Sequence, residues 1–219
     1  QMHPMELISQ GKGNTDLISG YTSSSIGISE QVTLNVGVNA QVLTLNNSWT
    51  LEPRAGIKWQ FSPKSSFALA YGLHSRMEKM DVYFVKTQGT GDRSVNKDLG
   101  FTRAHHVMLS SGFKVSDNMN MKIEPYFQQL YDVPVISDSS YSVLNRRDFY
   151  VENALVNRGK GRNIGVDITL ERYLNKGLYY MVTASIFDSK YYGGDRKWRN
   201  TLYNRNFIVN VLGGKEWMV

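Results

Sequence analysis

The chain has 219 residues, with 25 Lys plus Arg against 19 Asp plus Glu, a net charge of +6, and no cysteine. That composition excludes a disulfide framework, a thiolate metal site and a cysteine nucleophile, and 41% hydrophobic with 20% charged residues argues against a mostly disordered chain. No run approaches the roughly 20 apolar residues of a spanning helix, but a membrane β-barrel stays open because alternating strands scarcely raise mean hydropathy.

Gln1-Met2-His3-Pro4-Met5 has no cationic segment followed by an apolar stretch. The expectation is either a cytosolic protein or a chain cut from something longer. Asp16 to Ile28 reads as a first, weaker strand. Val32, Leu34, Val36, Val38, Ala40 and Val42 then alternate with Thr33, Asn35, Gly37, Asn39 and Gln41. Trp49, Leu51, Pro53, Ala55, Ile57, Trp59 and Phe61 do the same against Thr50, Glu52, Arg54, Gly56, Lys58 and Gln60. Alternation at this period means a strand with one apolar and one polar face, and a run of about 13 residues is well past the usual 5–6.

The pattern recurs downstream. Strands are expected around Phe67–His74, Val107–Lys114, Met121–Gln128, Asn163–Glu171, Leu178–Ile186 and Asn206–Val211. The connections at 29–31, 62–65, 116–118 and 175–177 are short and polar, as in hairpins. Between them fall longer loops at about 78–101, 134–157 and 191–201, with Asn46-Asn47-Ser48 as the short exception. In an up-and-down meander every second connection lies at the same end, so one end carries tight turns and the other loops.

Glu52, Arg54 and Lys58 share one face and would carry a heavy desolvation cost in a dry core, whereas a wet lumen suits them. The opposite face is apolar and, near the tight turns, aromatic, with Trp59, Phe61, Phe67, Phe113 and Tyr173. Aromatic residues gather at one level where a barrel meets the lipid–water interface. The fold class expected is all-β, an antiparallel meander of about nine long strands forming part of a transmembrane barrel. A soluble antiparallel sandwich is the competing architecture.

Several ordered blocks carry a resemblance. Leu51-Glu52-Pro53-Arg54-Ala55-Gly56-Ile57-Lys58-Trp59-Gln60-Phe61 and Ala68-Leu69-Ala70-Tyr71-Gly72-Leu73-His74-Ser75 come first. Ile123-Glu124-Pro125-Tyr126-Phe127-Gln128, Gly159-Lys160-Gly161-Arg162-Asn163 and Leu212-Gly213-Gly214-Lys215-Glu216-Trp217 follow in order. Together they resemble the barrel of TonB-dependent outer-membrane receptors, above all the branch whose plug is preceded by a carboxypeptidase-regulatory-like domain. The resemblance implies that residues 1–219 are a fragment of one barrel domain of about 22 strands. It further implies uptake of a nutrient or metal chelate at the extracellular loops, contact with membrane lipid, and energy from an inner-membrane partner acting through a coupling box and plug not visible here. An odd strand count and an end at Met218-Val219 lead to the expectation of a truncated chain. A passive porin or adhesion barrel is the alternative within the same fold.

No chemistry of its own is expected, and no cofactor. His105 and His106 are adjacent on a strand, so they point to opposite faces and cannot chelate one ion. Gly159-Lys160-Gly161-Arg162 lacks the ending and the following helix of a phosphate loop. Asp167 and Glu171 fall on one face, as any polar barrel wall provides. Without a run of four Lys or Arg there is no nucleic-acid patch. Recognition is expected in the loops, at Arg93, Arg146, Arg147, Trp198 and Arg199, which suit carboxylates, sugars or chelates through forked hydrogen bonds and stacking.

Overall fold

Alternating faces and tight turns yield a single antiparallel sheet in the computed structural model, which describes residues 11, 13–87, 94–146 and 151–217. Its strands are β1 (Leu17–Gly27), β2 (Val32–Leu43), β3 (Ser48–Ser62), β4 (Ser65–Arg76), β5 (Thr102–Ser116), β6 (Met119–Val135), β7 (Val156–Asn175), β8 (Leu178–Tyr192), β9 (Trp198–Asn200) and β10 (Phe207–Lys215). They pair in sequence order from β1 to β8. Both β9 and β10 then pair with β8, β9 along its end (190–192) and β10 along its first part (178–186). The two pieces are one interrupted ninth strand, so the meander has the nine positions expected.

A single sheet excludes the sandwich, since no second sheet packs on it among the described residues. The sheet is open: β1 pairs only with β2, and β10 only with β8. Tight turns close the β1–β2, β3–β4, β5–β6 and β7–β8 hairpins at one end. In the last of these, Lys176 at φ 52° and Gly177 at φ 75° form a turn of the primed type that matches strand twist. A side chain at Gly177 would also collide with the Glu216 carbonyl.

Three strands extend into the expected loops. β6 reaches Val135, β7 begins at Val156 and β8 continues to Tyr192, which shortens the second and third loops to 136–155 and 193–197. The first loop (77–101) carries a one-turn helix, α1 (Met80–Tyr83).

The buried core does not lie in the sheet. Val82, Tyr83, Val85, Leu99, Phe101, Val151 and Leu155 pack around Leu43 at the loop end, so the two long loops form a small cap with an apolar centre. Asparagines tie it down. Asn46 donates to the carbonyls of Lys97 and Leu99 at 3.0 and 2.8 Å, and Asn157 Oδ1 accepts the Gly100 amide at 3.0 Å. The sheet's apolar face is left open: Ile186 is 63% exposed, Val211 73% and Trp49 65%.

Candidate functional site

The concave face of the sheet is the polar one. Register places Arg54 opposite Gly72, Gly72 opposite His106, His106 opposite Gln128, Gln128 opposite Asn163, and Asn163 opposite Ser189. One circumferential row of polar side chains therefore crosses most of the wall. Its later part is hydrogen-bonded throughout: Asn163 donates to Gln128 at 2.7 Å, Ser189 to Asn163 at 2.7 Å, and Thr201 to Ser189 at 3.0 Å.

The earlier part centres on Glu52, which is 1% exposed. The β3–β4 ladder runs only as far as Arg54 and Gly72, so the Ser75 amide lies beyond it. The Glu52 carboxylate accepts that amide at 3.1 Å and also the Ser75 hydroxyl. It accepts Asn39 at 3.1 Å, Gln41 at 2.8 Å and the Arg54 guanidinium at 2.9 Å as well. A buried carboxylate is tolerable only with such a set of donors, and here it joins β2, β3 and β4 where the β3–β4 ladder parts. Arg103 spans the same gap, donating to the Trp49 carbonyl at 3.1 Å and to Asp132 at 3.0 Å.

His74 and His106 face each other on this concave surface with ring centroids 6.2 Å apart, and Tyr126 stands edge-on to His106 at 6.4 Å. They line two neighbouring hollows, one shared with Arg54 and Met108 and the other with Gln128, Asn163 and Asp167. Neither hollow was evident from the sequence, although the offset between β4 and β5 would have revealed the histidine pair. His105 points the other way, its Nδ1 2.9 Å from the Tyr71 hydroxyl and its ring stacked on Tyr131.

Three of the five sequence-predicted recognition residues, Arg146, Trp198 and Arg199, are described. Arg93 and Arg147 lie outside the described residues. Arg146 sits in the cap, where its positive charge helps hold down the carboxyl of buried Glu78. That carboxyl nevertheless stays above its ordinary value because burial outweighs its partners. Trp198 and Arg199 are consecutive in β9 and point to opposite faces. Arg199 grips Asp195 with two hydrogen bonds, at 2.8 and 2.5 Å, which hold the Asp195 carboxyl below its usual range. Trp198 turns outward, packed at 5.4 Å against Tyr192 and at 5.6 Å under the Arg162 guanidinium.

No family model and no curated protein matches the chain. Solved structures do match its fold. The outer membrane transporter YddB from Escherichia coli is 14% identical with a TM-score of 0.68, over 91% of this chain and 31% of that one. The ferric-catecholate import receptor Fiu from Escherichia coli is 12% identical with a TM-score of 0.67, over 91% and 32%. The FrpB iron transporter from Neisseria meningitidis is 16% identical with a TM-score of 0.58, over 83% and 27%. The chain thus spans less than a third of the length of these proteins, and over that span it has the fold of their barrel wall.

Proposed function

We propose that the chain is a section of the barrel wall of a TonB-dependent outer-membrane receptor, one that imports an iron chelate or similar nutrient with energy supplied from the inner membrane. The observation that carries this is the spacing of Trp49 and Trp59. Both lie on the outward face of β3, ten positions apart. At about 3.3 Å per residue they stand about 33 Å apart along the strand. A strand tilt of about 40° reduces that to about 25 Å, the height of the apolar band of such barrels. Leu51, Ile57, Phe67, Val107, Ile164, Ile186 and Val209 fill the interval and remain exposed. Each would forgo in water a share of the about 1.5–3 kcal/mol that full burial of such a side chain brings, a loss that lipid removes. The two open sheet edges suit continuation by further strands. Two structural neighbours, an iron transporter and a ferric-catecholate import receptor, support the ligand class.

In this reading no reaction is performed. The polar row from Arg54 to Ser189 is wet lumen wall, and Arg93, Arg146, Arg147 and Arg199 are the ligand contacts proposed. Trp198, turned outward, is not placed at the ligand.

Orientation tests the reading directly. Lys197→Cys at the loop end should react with a membrane-impermeant maleimide on intact cells, and Asp117→Cys at the tight-turn end only after the outer membrane is opened. Uptake of radioactive ferric catecholate by the same cells should stop when a protonophore is added. Equal labelling of both cysteines on intact cells, or recovery of the protein in the soluble fraction, would overturn the barrel assignment. Uptake indifferent to the protonophore would overturn energisation.

A further inference from the structure

On the outward face of β7, Arg158, Lys160 and Arg162 occupy alternate positions, and Ile164, Val166 and Ile168 continue the same row. One face of one strand therefore passes from three cations into an apolar band. A polar hollow of about 310 Å³ opens beside the cations, between β7 and the loops after β6 and β8. Arg158, Lys160 and Arg196 line it, with Asp138 as the single carboxylate. Among the described residues, none of these three cations has a carboxylate within ion-pairing distance. Nearer the band, Lys190 and Arg162 share Asp188 at 3.2 and 3.8 Å, so positive charge again exceeds negative. Tyr192 and Trp198 stand between, with Lys160 5.9 Å from the Tyr192 ring centroid.

We propose that this hollow binds the phosphate of an outer-leaflet glycolipid, with the sugar lying on Tyr192 and Trp198 and the acyl chains on the Ile164 row. The inference rests on the barrel-wall reading, which places this face against lipid. Unpaired cations around a polar hollow call for a multiply charged anion. A soluble phosphate would make no use of the apolar row that continues the site, and a neutral lipid headgroup would make no use of the cations.

The test uses the full-length receptor, purified in detergent and stripped of lipid. Its binding to a bisphosphorylated lipid A disaccharide is compared with binding to the same lipid after phosphatase treatment. Wild-type protein should prefer the phosphorylated lipid, and the triple variant Arg158→Ser/Lys160→Ser/Arg196→Ser should bind it about 100-fold more weakly. The control Lys64→Ser/Lys176→Ser, at the tight-turn end, should bind as wild type. Equal binding by wild type and triple variant overturns the site. Displacement by inorganic phosphate as effective as by the lipid overturns the lipid assignment in favour of a soluble anion. Cysteine labelling of the triple variant at position 197 separates the two readings: normal outer-membrane labelling with unchanged lipid binding sinks this inference alone, whereas a soluble chain sinks the barrel reading and the inference with it.

Discussion

Leu155 donates its amide to Asn96 Oδ1 at 2.8 Å, while Asn96 Nδ2 donates to the Asn153 carbonyl at 3.0 Å. One side chain, 1% exposed, thereby satisfies two backbone groups of the opposite loop and sews the cap together. Asn96→Ala leaves both groups without a partner beside the apolar centre, at about 1–3 kcal/mol for each. Amide exchange at Leu155 should accelerate and the segments 94–101 and 151–155 should become protease-sensitive, while the strands keep their protection. Unchanged exchange at Leu155 would show that the asparagine is not what joins the loops.

The loop end should respond to pH in two separate windows, one in the cap and one in the loop after β8. Burial raises the Glu78 carboxyl above its ordinary 4.5, so the folded cap holds that proton more tightly than the unfolded loop does. The cap therefore gains stability as pH falls through the raised value, and the gain is complete by 4.5. Asp195 behaves oppositely: Arg199 holds its carboxyl below the ordinary 3.8, so its contribution is present above 3.8 and is lost as pH falls through the lowered value. Exchange protection in 94–101 should rise from neutral pH toward about 4.5. Protection at 193–199 should decline only below about 3.8. Glu78→Gln should abolish the first change and leave the second. A flat profile for the wild-type loop would refute the burial effect.

Much of the wall was legible because each strand repeats one decision, inward or outward, many times. Val32 to Val42 and Trp49 to Phe61 specify two faces, and the β2–β3 register pairs Asn39 with Glu52 and Val38 with Pro53 in agreement with them. The start of β7 was only partly legible: the loop limit near 157 falls beside Val156, but the alternation is recognisable only from Asn163. Gly159 and Gly161 interrupt the alternation and look like loop, yet they are strand residues whose missing side chains make room for Val135 and Leu144 packed over them. That crowding comes from β6 and the loop after it, and no local pattern records it. The cap was hidden for the same reason, since Val82 and Val151 meet only after both loops fold back on Leu43. Trp198 and Arg199 illustrate the converse: strand alternation sends them to opposite faces, but grouping them as loop residues concealed it.

Sidedness can be tested within one strand. On β8, Ile186 lies outward beside Val166 and Phe207, and Thr183 lies inward beside Thr169 and Asn210. Ile186→Lys should cost about 2–4 kcal/mol for folding into lipid vesicles, as expected for a cation toward the middle of the band. Thr183→Lys should cost little, because its ammonium reaches lumen water. Urea titration of vesicle-inserted full-length protein provides the comparison. Equal penalties at the two positions would mean that the apolar face does not meet lipid.

Gly165 tests how tightly the concave wall is packed. It stands in β7 between Tyr126 and Phe187, and a Cβ there would lie 2.7 Å from the Tyr126 hydroxyl and 2.8 Å from the Ile186 carbonyl. The phenol can swing toward the lumen, but the carbonyl belongs to the β7–β8 ladder and cannot. Gly165→Ala should therefore destabilise the wall by about 1–3 kcal/mol, the usual range for overpacking. Adding Tyr126→Phe removes the hydroxyl and should recover only part of the loss, with the remainder belonging to the backbone contact. Full recovery in the double variant would assign the constraint to the tyrosine alone. A neutral Gly165→Ala would show that the two strands can separate enough to admit a methyl group, contrary to the close register between Gly165 and Phe187.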